Sequence, residues 1–289
     1  MRHLSNAPRR RLDTELVRRG LVATRTEALE AITSGLVVVS GTQADKAARL
    51  VAPNEPVVVL GPPARFVSRG GEKLDAALTR FAIDVTDRRA LDAGASTGGF
   101  THCLLQRGAV TVYAVDVGHG QLDQRIRTDP RVTVLERVNV RSLTPEVLSQ
   151  VDPDFVACSI VTADLSFISL VTVVPALTGP VGTDRADLVL LVKPQFEAGR
   201  AVVARGKGVV RDPEVWLEAL GDVTSALQSA GTGIMGAMVS PLTGPAGNVE
   251  FLVHARKGAA PAEEDVVDRL LEAAVSEAVA RRSATSTAD

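Results

Sequence analysis

The chain has 289 residues, 45% of them hydrophobic, 3% aromatic and 23% charged, with a formal net charge of −2. That much apolar content builds a core and argues against disorder, while so few rings leave aromatic platforms for single-stranded nucleic acid scarce. Charge is uneven, since residues 1–80 hold 13 Lys and Arg against 8 Asp and Glu, and such a basic front is suited to a polyanion.

The first group of elements spans residues 8–60. Leu12, Leu16 and Val17 recur at helical spacing, and Gly20 follows as a stop. A second helix opens at Thr24 or Thr26 and closes at Gly35. Residues 36–39, a Ser-Gly turn and residues 57–60 read as strand, turn and strand. This ααβ unit, in "RLDTELVRRGLVATRTEALEAITSGLVVVSG", resembles the S4 RNA-binding domain. The resemblance rests on Arg11-Leu12-Asp13, Leu16, Arg19-Gly20, the helix entry with Arg25, and Gly35 followed by "VVVSG". It implies a basic face of Arg10, Arg11, Arg18, Arg19, Arg25 and Lys46 set against folded RNA. Arginine suits that task because it keeps its charge and meets phosphate with two parallel hydrogen bonds.

Residues 61–71, "GPPARFVSRGG", read as a linker, stiffened by Pro62-Pro63 and loosened at Gly70-Gly71. Residues 72–258 alternate strands and helices. "RRALDA" is a strand, "TGGFTHCLLQRG" a helix, and "VTVYAVDV" and "VTVLE" are strands. "TPEVLSQ" is a short helix, and "DFVACSIVTADLSF" holds a strand ending near Asp164. "ADLVLLVKPQF" is a buried strand ending near Lys193, and "DPEVWLEALGDVTSALQSAG" is a helix. "IMGAMVSPL" and "VEFLVHARK" are the last strands. The spacing predicts an α/β fold with a mostly parallel, doubly wound sheet, whose ligands bind beyond the carboxyl ends of its strands. Residues 259–289 read as an amphipathic helix and a disordered tail, "RRSATSTAD".

At "LDAGASTGGF" a strand runs into a loop of small residues. A P-loop needs a lysine that is absent here, and a dinucleotide fingerprint needs a glycine spacing that is also absent. The form acid-x-Gly-x-Gly/Ser-x-Gly fits Asp92, Gly94, Ser96 and Gly98, and is that of the S-adenosylmethionine loop of class I methyltransferases. An acid suits the cofactor's ammonium, and small residues let backbone amides approach. Asp116, at the end of the next strand, is placed to take two ribose hydroxyls.

Four more polar residues stand where apolar elements end: Lys73, Asp164, Lys193 and Glu250. A lysine closing "DLVLLV" is costly to bury charged unless acids surround it, and such surroundings tune it toward general-base duty. A ribose hydroxyl needs that help, being a poor nucleophile until its proton is drawn away.

This Lys-Asp-Lys-Glu order resembles the tetrad of the FtsJ-type ribose 2′-O-methyltransferases. The segments "SRGGEKL", "LDAGASTGGFTHCLL", "VDVGHGQL", "DPRVTVLERVN", "ADLSFISL", "VKPQFE", "GVVRDP" and "SPLTGPAGNVEF" are similar to the TlyA family, which joins an S4 domain to an FtsJ-like domain. The resemblance implies a Rossmann-like class I methyltransferase acting on cytidine 2′-hydroxyls of ribosomal RNA in one or both ribosomal subunits. It also implies a link to susceptibility to capreomycin-type antibiotics. It makes Lys193 the base, Asp164 and Lys73 the groups that orient the ribose, and Glu250 the partner of Lys73 or of the substrate. Gly94, Ser96, Thr97 and Gly98 wrap the cofactor, with Asp92 near its amino end, Asp116 on its ribose and Asn139 at its adenine. The family has also been labelled haemolysin.

Other chemistries find little in the chain. Cys103 and Cys158 lack metal or redox spacing and read as buried thiols of a reducing compartment, and His3, His102, His119 and His254 lack zinc spacing. No apolar leader and no apolar run of about 18 residues is present, so a soluble cytoplasmic protein with no metal, membrane or obligate protein partner is expected. The competing readings are an S4-bearing pseudouridine synthase, a non-catalytic RNA-binding assembly factor and a lytic protein.

Overall fold

The computed structural model describes residues 9–22, 24–61, 64–199, 206 and 208–286. The segment 1–8, Pro62-Pro63 and the last three residues of the expected tail lie outside the described residues. The chain divides after Ala64 into two units.

In the first unit, α1 (Leu12–Arg18) and α2 (Arg25–Thr33) pack Leu12, Leu16, Ala28 and Ile32 against Val37 and Val39. Thr24 caps α2, its Oγ1 accepting from Glu27 N at 3.1 Å, which satisfies one of the free donors of the first turn. Two short sheets complete the unit. One has the order β3 (Thr42–Gln43), β2 (Val37–Val39), β5 (Val57–Val59); the other pairs β1 (Arg10–Arg11) with β4 (Leu50–Val51). The second pair was not expected, because two-residue strands carry no readable alternation.

The second unit is built on a seven-stranded sheet. Its strands are β6 (Arg89–Ala93), β7 (Thr111–Asp116), β8 (Val132–Glu136), β9 (Cys158–Ala163), β10 (Gly182–Val192), β11 (Thr232–Val239) and β12 (Phe251–Lys257). The order is β11-β12-β10-β9-β6-β7-β8, and β12 runs antiparallel to both neighbours while the pairs from β8 to β10 are parallel. Successive residues feed opposite faces: Leu188, Leu190 and Val192 enter one core, and Val189 and Leu191 the other. Burial of both faces explains why these strands read as unbroken apolar runs.

One face is covered by α3 (Gly70–Arg80) and α4 (Gly99–Gln106), which supply Leu74, Leu78, Cys103 and Leu104. The short helices α5 (Gln124–Arg127) and α6 (Pro145–Ser149) flank β8 in sequence. The opposite face is covered by α7 (Leu170–Leu177), α9 (Pro213–Ser229) and α10 (Glu264–Ser286), while α8 (Pro194–Glu197) follows β10 directly.

Two expectations are corrected. Gly70-Gly71 do not loosen a linker but form the first turn of α3. Their missing side chains admit neighbours, since a Cβ on Gly71 would lie 2.3 Å from Phe66 Cγ. The terminal tail is likewise helical as far as Ser286, because the apolar stripe Val267, Leu271, Ala274, Val275 and Ala278 docks α10 on the core.

Candidate active site

The carboxyl ends of β6, β7, β9 and β10 open on one side of the sheet, as a doubly wound topology dictates. The loop after β6 turns through two left-handed glycines, Gly94 at φ +85° and Gly98 at φ +93°, with Ser96 at φ +47° between them. Gly94 is needed for space as well as conformation, because a Cβ there would lie 2.5 Å from the Asp164 carbonyl oxygen. Asp116 ends β7 and fixes the loop from the side. Its Oδ2 accepts from Ser96 N at 2.7 Å and its Oδ1 from Gly118 N at 2.6 Å. Carboxylate oxygens retain further acceptor sites beyond these. Asp116, Ser96, Gln121 and Glu136 line a small recess.

Asp92 lies elsewhere than a groove-lining acid would. It is fully buried under the loop, where Thr101 Oγ1 donates to it at 2.6 Å and Thr162 Oγ1 at 3.3 Å. Burial pushes its carboxyl up to about 7, and the charge of Asp164 adds to this. Asn139 caps a short 3-10 turn, its Oδ1 accepting from Arg141 N at 3.0 Å, and it lines neither the recess nor the groove beside it.

The adjoining groove gathers residues far apart in the chain: Lys73, Gly94, Ser96, Thr97, Asp164, Lys193 and Glu250 all line it. Lys193, at the end of β10, points its Nζ at Asp164 Oδ1, 2.6 Å away, and at Ser166 Oγ, 3.0 Å away. Lys73, on α3, donates to Glu250 Oε2 at 2.5 Å. Both lysines and Glu250 are under 10% exposed. Each buried ammonium thus has its own carboxylate, the arrangement that lets a charged lysine remain in an apolar setting. All four residues of the tetrad come together, and the loop after β6 forms the groove's other wall.

Several residues at this site were not singled out from sequence. Ser166 supports Lys193. Phe167 is 93% exposed at φ +64°, its ring 5.3 Å from that of Phe196. A large aromatic residue held out in solvent in a left-handed conformation is strained, and such strain clusters at functional sites. Its position directly after Asp-Leu-Ser was the available signal. Both cysteines are buried, and burial pushes both thiols up to about 12, away from the thiolate form that reacts.

In the first unit, two buried acids organise the arginines. Asp13 holds Arg11 and Arg25, and Glu15 holds Arg18 and Arg19. Arg11, Arg18 and Arg25 keep their side chains 48%, 46% and 64% exposed. Arg10 and Lys46 are exposed too. Arg19 differs, at 18% exposed, with its guanidinium donating to the carbonyls of Ala52, Pro53 and Glu55. It ties α1 to the segment before β5.

Residues 66–257 match the FtsJ-like methyltransferase family, and residues 10–57 match the S4 domain. The chain is 50% identical over 252 residues to the 16S/23S rRNA (cytidine-2′-O)-methyltransferase TlyA of Mycobacterium tuberculosis, covering 86% of this chain and 91% of that one. It is 45% identical over 244 residues to YqxC of Bacillus subtilis, covering 84% of each. A solved structure described as a hemolysin from Streptococcus thermophilus is similar over 96% of this chain and 99% of its own, with 37% identity and a TM-score of 0.75. Among the described residues no helix is long and apolar enough to cross a membrane.

Proposed function

The chain belongs to the FtsJ-like methyltransferase family, with an S4 domain ahead of the catalytic one, and on that premise we propose that it methylates cytidine 2′-hydroxyls of ribosomal RNA. The observation that carries the reading is the convergence of two buried lysines, each paired with a carboxylate, on the groove walled by the Gly94–Gly98 loop. Small-residue backbone, the acid Asp116 and a groove beside them fit S-adenosylmethionine. Gly94, Ser96 and Thr97 would hold it, Asp116 would accept from its ribose, and Asp92 would act from beneath by fixing Thr101 and the loop. Bound there, the cofactor would supply an electrophilic methyl group.

The chain's own residues do the rest. Lys193 draws the proton from the 2′-hydroxyl as that oxygen attacks, and Asp164 faces the ammonium that results. Ser166 fixes a second direction around Nζ, leaving the remaining one toward the groove. Lys73 brings positive charge to the developing oxyanion, and Glu250 keeps that ammonium in place. Phe167, its ring 5.3 Å from that of Phe196, over which Lys193 Nζ lies at 5.8 Å, offers an exposed ring face for a base drawn out of its stack. Arg10, Arg11, Arg18, Arg25 and Lys46 would meet the RNA backbone, supplying affinity rather than site choice. Carried to the cell, loss of the activity should reduce susceptibility to capreomycin-type antibiotics, which growth inhibition measures.

The test is Lys193→Met, assayed by mass spectrometry of rRNA digests and by calorimetry with S-adenosylmethionine. Methyl transfer should fall at least about 100-fold, the scale of a lost general base, with cofactor affinity kept within threefold. Full activity in the variant, or a wild type that methylates a base instead of a ribose, would refute the reading.

A further inference from the structure

The loop of residues 240–250 carries Pro245 and Glu250 into the groove, and its rear side is tied down as few surface loops are. Asn248 is 4% exposed. Its Oδ1 accepts from Val210 N at 2.9 Å, its Nδ2 donates to Gly208 O at 2.9 Å, and its backbone carbonyl accepts from Gly244 N at 2.9 Å. One residue therefore closes the loop's own turn and binds it to the stretch before α9. That stretch is held in turn by Trp216, whose Nε1 donates to Val210 O at 3.1 Å. The Trp216 ring lies 5.9 Å from that of Phe251, the residue after Glu250.

The end of α10 reaches the same place. Arg281 and Arg282 continue the stripe that ends at Ala278. Arg281 Nη1 donates to Ser240 O at 3.1 Å; Arg282 Nη1 donates to Arg211 O at 2.8 Å, with its guanidinium 5.3 Å over the Trp216 ring. Ser240 N in turn donates to Glu250 O at 2.8 Å, so this brace ends one hydrogen bond from the acid. None of Asn248, Trp216, Arg281 and Arg282 lines the groove.

Loops are mobile unless packing and hydrogen bonds restrain them, and a buried ion pair is useful only in good geometry. Resting on the methyl-transfer reading, we propose that Asn248, Arg281 and Arg282 are positioning residues for the acceptor side of the groove. They hold Glu250, and through it Lys73, where the ribose must lie, and the cofactor loop does not depend on them.

The test uses the full-length protein with two variants, Asn248→Ala and the double variant Arg281→Ala/Arg282→Ala. In each, kcat for rRNA methylation should fall about 10- to 100-fold, the cost of a misplacement on the scale of an ångström. The Kd for S-adenosylmethionine should stay within twofold, and the double variant Arg281→Lys/Arg282→Lys should recover part of the loss. Hydrogen exchange of residues 240–250 should quicken while residues 94–99 stay protected as before. Unchanged kcat together with unchanged exchange in the arginine variant would overturn the proposal, as would cofactor affinity falling in step with kcat. Should Asn248→Ala fail to fold, the arginine variant decides. A wild type inactive on rRNA would refute the methyl-transfer reading, while the exchange measurement would still decide whether the brace exists.

Discussion

Asp92→Asn probes how the cofactor loop is founded. The Asp92 side chain is fully buried, with two threonine hydroxyls as its side-chain partners among the described residues, and desolvation holds its carboxyl up to about 7 against an ordinary 3.8. Below 3.8 both folded and unfolded states hold the proton. Between 3.8 and about 7 only the folded state holds it, so stability must fall as pH rises through this window and level off above it. The full gap corresponds to at most about 4 kcal/mol, and the part between pH 5 and pH 8 to about 2–3 kcal/mol. Asparagine cannot ionise and can still hydrogen-bond both hydroxyls. The variant should match the wild type only where Asp92 is protonated in both states; at pH 5 it should already be the more stable by about 1–2 kcal/mol, and at pH 8 by about 4 kcal/mol. Urea unfolding followed by tryptophan fluorescence reads this unit alone, because the single tryptophan, Trp216, is buried in the same sheet-bearing unit. Groups common to both proteins cancel in the difference. Stability curves that run parallel from pH 5 to pH 8 would refute the reasoning.

Gly94→Ala should abolish cofactor binding in calorimetry and cost about 2–4 kcal/mol, since a Cβ would meet the Asp164 carbonyl and the residue would be held at positive φ. Arg19→Ala should destabilise the first unit by about 2–3 kcal/mol in thermal unfolding, because it leaves carbonyls and a buried Glu15 short of partners. Arg25→Ala, at a far more exposed side chain, should leave stability within about 0.5 kcal/mol and reduce the salt slope of RNA binding by about 1. Phe167→Gly relieves a left-handed backbone while adding chain entropy, so stability should stay within about 1 kcal/mol. Methyl transfer should nevertheless fall about tenfold, as expected for one lost stacking contact, and an unchanged rate would remove Phe167 from the site.

Local chemistry made much of this protein legible in its sequence. Apolar periodicity marked most helices and strands of the sheet-bearing unit, and Gly94 and Gly98 marked a turn whose backbone had to run left-handed. Lys193 and Asp164 were conspicuous because a charge at the end of an apolar strand is expensive. These signals are short-ranged, set by steric preference and burial within a few residues. What depends on distant packing was decided only by the tertiary structure. Lys73 meets Glu250 across 177 positions of sequence, a pairing set by strand order and the docking of α3. Asp92 read as an acid facing the cofactor's amino end and Arg19 as part of an RNA-facing basic group, yet one lies sealed beneath a loop and the other serves as a strut. The final turns of α10 read as a polar tail and fold because the core receives the stripe ahead of them. Side-chain identity determined which groups could do the chemistry; the long-range contacts, each stabilising only once the sheet has formed, determined which of them face one another.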